Sequence, residues 1–219
     1  MWCVGRITAE YRRRMYGLLK LYARPYDAAE PVVCVDEKSQ QLLAQTRAPL
    51  PARPGQDAKE DYEYRRADTR NLFVAVEPKG GHREVTVTSR RAKPDFVKFI
   101  VRLAEGVYAS ARKIHLVADN LNTHFRASFD TVLGRTRARA LFARVQFHYT
   151  PKHASWLNMA EIEIGVLERQ CLGQRIPDVA QLRQHVRTWQ RRRNRDRATI
   201  RWRFTRQDAD RKLGRHYVA

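Results

Sequence analysis

Pro31-Val32-Val33-Cys34-Val35-Asp36-Glu37-Lys38-Ser39 is a short apolar run that ends abruptly in acid. Ile114-His115-Leu116-Val117-Ala118-Asp119-Asn120 repeats the idea. Apolar runs of this length, rich in β-branched residues, read as buried strands. In open α/β sheets, sites form at the carboxyl ends of strands, where loops converge. Two strands that each end on an aspartate therefore suggest two carboxylates brought together over one sheet edge.

On the N-terminal side of the first run, Tyr11, Met15, Leu18, Leu19 and Tyr22 fall on one face of a helix. Thr8 is its N-cap, Arg24-Pro25 ends it, and Arg12, Arg13 and Arg14 face solvent or phosphate. On the C-terminal side, 48–60 holds Pro49, Pro51, Pro54 and Gly55 without periodicity and reads as a surface loop. Strands over 71–76 and 83–88 flank a Pro78–Gly81 turn and form a hairpin. A helix over 93–106 presents Phe96, Phe99, Ile100 and Leu103. After the strand 114–118 come a helix around 125–133, a basic stretch over 135–144 and an alternating strand over 145–149. Helices over 155–172 and 177–192 follow, then a short one near 207–213.

This order gives an α/β protein with a mixed five-stranded sheet flanked by helices, as expected of an RNase H-like fold. The first and fourth strands then lie side by side. The expected division is an N-terminal helix and linker over 1–28, a catalytic domain over 29–195, and a basic tail with a short helix over 196–219.

The 219 residues carry 43 Lys and Arg against 23 Asp and Glu, a formal charge of +20. That excess points to a polyanionic partner, read here as double-stranded DNA. From Arg183 to Ala219 there are 13 basic and 3 acidic residues, so half of the excess sits in these last 37 residues. Cys3, Cys34 and Cys171 are odd in number, far apart and without a CxxC pair. They argue against a disulfide framework or a zinc knuckle and for a reducing cytoplasm. No apolar run is long enough to span a membrane, and no signal peptide is visible.

Two close carboxylates repel each other and hold their protons unless a cation sits between them. Mg²⁺ or Mn²⁺ suits such a site: it takes carboxylate oxygens and is completed by substrate phosphates. Two such ions can activate an attacking oxygen and stabilise a leaving one. A third carboxylate should come from the helix after the fifth strand, which offers Glu161, Glu163 and Glu168. Glu161 and Glu163 border opposite sides of the stripe Leu157, Ala160, Ile164, Leu167, Cys171. Periodicity does not choose between them.

The stretch His148-Tyr-Thr-Pro-Lys-His-Ala-Ser-Trp-Leu-Asn-Met-Ala-Glu-Ile-Glu163 resembles the catalytic domain of insertion sequence 630 family transposases, within the wider Tc/mariner group of DDE enzymes. So do Val33–Gln40, Asp61–Arg66, Asp119–His124, Arg175-Ile176-Pro177 and Trp202–Thr205. The family pattern sets the catalytic Glu three residues after the Asn of a Leu-Asn pair. Leu157-Asn158 is that pair, so the resemblance implies Glu161, with Asp36 and Asp119 as the other catalytic, metal-binding acids. It implies cleavage of DNA at element ends, then attack of the freed 3′-hydroxyl on target DNA. It also implies two Mg²⁺ or Mn²⁺ ions, a dimer or larger synaptic complex, and action at a bacterial nucleoid. Full-length members carry a helix-turn-helix region ahead of this domain, and the chain as it stands is read as lacking it.

Asn120, Asn122 and His124 follow the second aspartate and are read as orienting carboxylates or touching DNA. Lys152 could touch the scissile strand; Arg191, Arg192, Arg193 and Arg195 read as a phosphate-tracking strip. A hydrolytic RNase H-like nuclease, or a catalytically silent DNA-binding relic, would share these features.

Overall fold

The computed structural model describes residues 5–59, 61–119 and 126–218. Helix α1 (Ala9–Ala23) starts where Thr8 Oγ1 accepts from the Tyr11 amide. It is followed by β1 (Val32–Gln45), β2 (Tyr64–Glu77) and β3 (His82–Thr88). Gly81 in the β2–β3 turn has φ +70, and a Cβ there would meet the Arg197 carbonyl at 2.6 Å. Only glycine fits both demands.

Helix α2 (Lys93–Arg102) widens into a looser turn over 103–107, short of the helix expected to run to 106. Strand β4 (Ile114–Ala118), α3 (Arg126–Leu133) and α4 (Arg135–Arg144) come next. The basic stretch over 135–144 is thus helical, anchored through Ala138 and Leu141. Arg144 at its end donates to the carbonyls of Tyr108, Ala109 and Ala111 at 2.8–2.9 Å. Strand β5 (Val145–Tyr149), α5 (Met159–Leu167), α6 (Val179–Arg195) and α7 (Arg206–Leu213) complete the order.

The sheet order is β3-β2-β1-β4-β5. β1 pairs antiparallel with β2 and parallel with β4, and β4 pairs parallel with β5. This is the mixed five-stranded sheet of the RNase H-like fold. β1 and β2 run well beyond the apolar runs that announce them. Ser39–Gln45 pair with Tyr64–Asn71, with a register shift between Leu42 and Leu43.

Strand alternation divides the core. Val33, Val35, Phe73 and Ala75 face α2, α3 and α4 through Phe96, Phe99, Ile100, Phe129 and Leu141. Fully burying each such aromatic is worth about 1.5–3 kcal/mol. On the other face Cys34, Val76 and Val117 meet Met15 and Leu18 of α1, Met159 and Ala160 of α5, and Ala209 of α7. Trp202 and Phe204 pack against the same cluster. Farther along that face, Leu42, Leu72 and Val74 meet Ile164 and Leu167 of α5 and Leu182, Val186 and Trp189 of α6. The first helix and the basic tail therefore share one core with α5. Among the described residues, no helix is long and apolar enough to cross a membrane.

Candidate active site

β1 and β4 are in register, Val33 beside Leu116 and Cys34 beside Val117. Carried two residues further, that register sets Asp36 level with Asp119. Neighbouring strands lie about 4.8 Å apart, so two carboxylates share one edge. Asp36 Oδ1 accepts from the Glu37 amide at 2.8 Å. Its carboxyl is nonetheless pushed up from 3.8 to about 7. Burial is the largest cause, and the negative charges of Glu161, Asp119 and Glu37 add to it.

Glu161 reaches this neighbourhood because of how α5 begins. The expected single helix over 155–172 is three pieces: a tight turn at Ser155–Leu157, α5, and a widened turn over 168–172. Asn158 breaks it with an extended backbone, φ −88 and ψ 110. Its fully buried side chain accepts from the Ala160 amide at 3.2 Å and donates to the Val35 carbonyl at 2.9 Å. The second bond ties the start of α5 to β1 one residue before Asp36. Tyr22 Oη also donates to the Leu157 carbonyl at 2.7 Å. Glu161, in the first turn of α5, keeps an exposed side chain beside Asp36.

Glu163 is different in kind. It is fully buried, against the expectation of a border position on α5. Arg83 of β3, also fully buried, donates through Nε at 2.7 Å and a terminal nitrogen at 3.3 Å. Arg193 of α6 donates to both of its oxygens at 3.1 Å. Two guanidinium forks thus occupy the carboxylate, and the structure separates the two glutamates that periodicity left equivalent. Arg83 and Asn158 are residues whose roles sequence reasoning missed. Only the Leu157-Asn158 landmark hinted at the second.

Among the described residues, no three His, Cys, Asp or Glu side chains form a ready cluster for a metal ion. The donor set around Asp36 nevertheless fits a hard divalent cation. It is oxygen-only, and burial, with repulsion from the neighbouring acids added, raises Asp36, a cost that a bound cation would reverse.

Residues 31–183 match the family model described as DDE superfamily endonuclease. The chain belongs to that family. No curated protein matches it. The crystal structure of the Mos1 mariner paired end complex with Mn is similar at TM-score 0.53 and 14% identity, over 90% of this chain and 62% of that one. A pre-cleavage Mos1 transpososome gives TM-score 0.53 and 14% identity, over 90% of this chain and 66% of that one. At that identity the likeness is one of fold. The chain spans less than two thirds of the length of either.

Around the DDE endonuclease core, the expected DNA contacts fall unevenly. Asn120, Asn122 and His124 lie outside the described residues. Lys152 is exposed in the loop before α5, beside His153, whose φ of 61 is left-handed. Lys152 and His153 line a groove of about 620 Å³ with Arg6, Trp156, Trp202 and Phe204. Arg191, Arg192 and Arg195 are exposed on α6, with Arg195 paired to Asp196 at 3.2 Å. Arg193 departs from the expected strip: it turns inward to Glu163.

Proposed function

We propose that this chain is the catalytic part of a DDE transposase of the insertion sequence 630 group. In this reading Asp36, Asp119 and Glu161 are its catalytic acids. The observation that carries the reading is the level placement of Asp36, inside β1, and Asp119, at the end of β4, with Glu161 close enough to add to the effect of burial on Asp36. Asp36, Asp119 and Glu161 would hold two Mg²⁺ or Mn²⁺ ions. When bound, these supply Lewis-acid stabilisation for in-line phosphoryl transfer. The chain's own residues do the rest. Asn158 fixes α5, and with it Glu161, against β1. Lys152, Arg191, Arg192 and Arg195 hold the duplex through its phosphates. Water would cleave DNA at the element end, leaving a 3′-hydroxyl. That hydroxyl would attack a phosphodiester of target DNA, forming one bond as another breaks. One fold neighbour is named as a mariner paired end complex and the other as a pre-cleavage transpososome, which supports a DNA partner and a dimer or larger assembly here.

The test is cleavage of end-containing DNA in Mg²⁺ by the wild type and by Asp36→Asn, Asp119→Asn and Glu161→Gln. Each variant should lose cleavage. Full activity in any one removes that residue from the site, and full activity in EDTA overturns the metal requirement. Joined products separate a transposase from a hydrolytic nuclease, which would release ends and never rejoin them.

A further inference from the structure

Lys38 lies two residues beyond Asp36 on β1, so strand alternation turns both to the face that α5 crosses. Cys34 and Leu42, of the same parity, fix that face by packing in the two clusters that α5 shares. On the helix side, Glu161 and Glu168 are seven residues apart, two turns of an α-helix, and so lie on one side. Strand and helix therefore meet twice in the same order. Asp36 faces Glu161 closely enough for their charges to repel. Lys38 Nζ donates to Glu168 Oε1. Residues two apart on a strand are separated by about 6.7 Å. The Lys38 ammonium thus sits on the rung next to the acids, with Glu168 as its ion-pair partner.

We propose that Lys38 holds a non-scissile phosphate of the DNA strand whose neighbouring phosphodiester lies at the acids, and that Glu168 occupies its ammonium until DNA displaces it. The inference rests on the function proposed above. The Glu168 side chain is 51% exposed and free to swing outward, whereas that of Lys38 is only 18% exposed and fixed in place by the strand. Because the Glu168 end of the pair is half-exposed, solvent screens it and its contribution to stability is small. Lysine, a compact charge with three rotatable donors, suits an acceptor that is exchanged during binding.

The experiment measures binding of the full chain to a DNA duplex in EDTA as salt is varied. Lys38→Met should weaken binding and reduce the slope of log affinity against log salt by about 1. Lys38→Arg, which keeps the charge, should restore the slope. Glu168→Gln should tighten binding severalfold at low salt. If Lys38→Met keeps the wild-type slope, or Glu168→Gln weakens binding, the pair is structural and the proposal is overturned. The cleavage assay of Asp36→Asn is run beside it. An inactive Asp36→Asn with an unmoved Lys38→Met slope defeats the Lys38 inference alone. A fully active Asp36→Asn defeats the catalytic reading and takes this inference with it.

Discussion

Replacing Asp36 by asparagine should make the metal-free protein more stable at pH 8 while abolishing its proposed chemistry. Asn keeps an oxygen for the Glu37 amide, so the 2.8 Å hydrogen bond survives. What disappears is a carboxylate raised from 3.8 to about 7 by burial and then by the charges of Glu161 and Asp119. The folded state therefore binds the Asp36 proton more tightly than the unfolded chain does. The stability linked to it is complete below about pH 4, is lost progressively as pH rises to about 7, and is constant above that. At about 1.4 kcal/mol for each tenfold change in proton affinity, the full loss is about 4 kcal/mol. Asp36 is only half-buried and solvent recovers part of this, so the expected gain for Asp36→Asn is about 2 kcal/mol at pH 8. For a chain of this size that is about 4–8 °C in Tm. Urea unfolding in EDTA at pH 5 and pH 8 reads the difference between the two proteins, which cancels every other titrating group. The gap should be small at pH 5 and wide at pH 8. Equal gaps at the two pH values, or a less stable variant at pH 8, would refute the reasoning. Mn²⁺ at pH 8 should narrow the gap by stabilising the wild type alone.

Glu163→Gln should cost about 3–5 kcal/mol in urea unfolding, because it leaves Arg83 buried without its counter-charge and Arg193 unpaired. Combining Glu163→Leu with Arg83→Met should recover much of that loss in the same assay. Glu161→Gln should stay within about 0.5 kcal/mol of the wild type, since its side chain is exposed, and should lose cleavage. Asn158→Ala removes the α5 cap and the bond to Val35; thermal unfolding should show a loss of about 1–2 kcal/mol. Its cleavage rate should fall further than that of a Thr8→Ala variant of similar stability, because Asn158, unlike Thr8, ties the start of α5 to β1 beside Asp36.

The strands were legible wherever an apolar run announced them. The outer halves of β1 and β2 were not, because Ser39–Gln45 and Tyr64–Asn71 are held by each other's backbone. Such pairing leaves little period in the side chains. The break at Asn158 was hidden for the opposite reason: the apolar stripe keeps its phase across it, and the marks of where α5 begins are the Asn158 cap on Ala160 and the buried bond to Val35. Asp119 was readable as a strand end, whereas Asp36 was expected to close its strand and instead lies inside β1, where the polar half that follows is held by β2. The choice of Glu161 over Glu163 was not readable from the helix, since it depends on Arg83 and Arg193 arriving from β3 and α6. The same distance effect misled the reading of the arginines on α6. Local charge cannot tell Arg193, which has a buried partner, from Arg191 and Arg192, which face solvent.

Ile7 and Tyr217 form a parallel bridge, with the Ile7 amide donating to the His216 carbonyl at 2.8 Å and the Val218 amide donating to the Ile7 carbonyl at 3.0 Å. The two ends of the described chain are therefore clasped together. A short peptide could join them there, and new ends could be cut in the loop between β1 and β2. Every strand would keep its neighbours in such a permuted protein. β2 would open the chain and β1 would close it, so Asp36, which now comes first of the three acids, would come last.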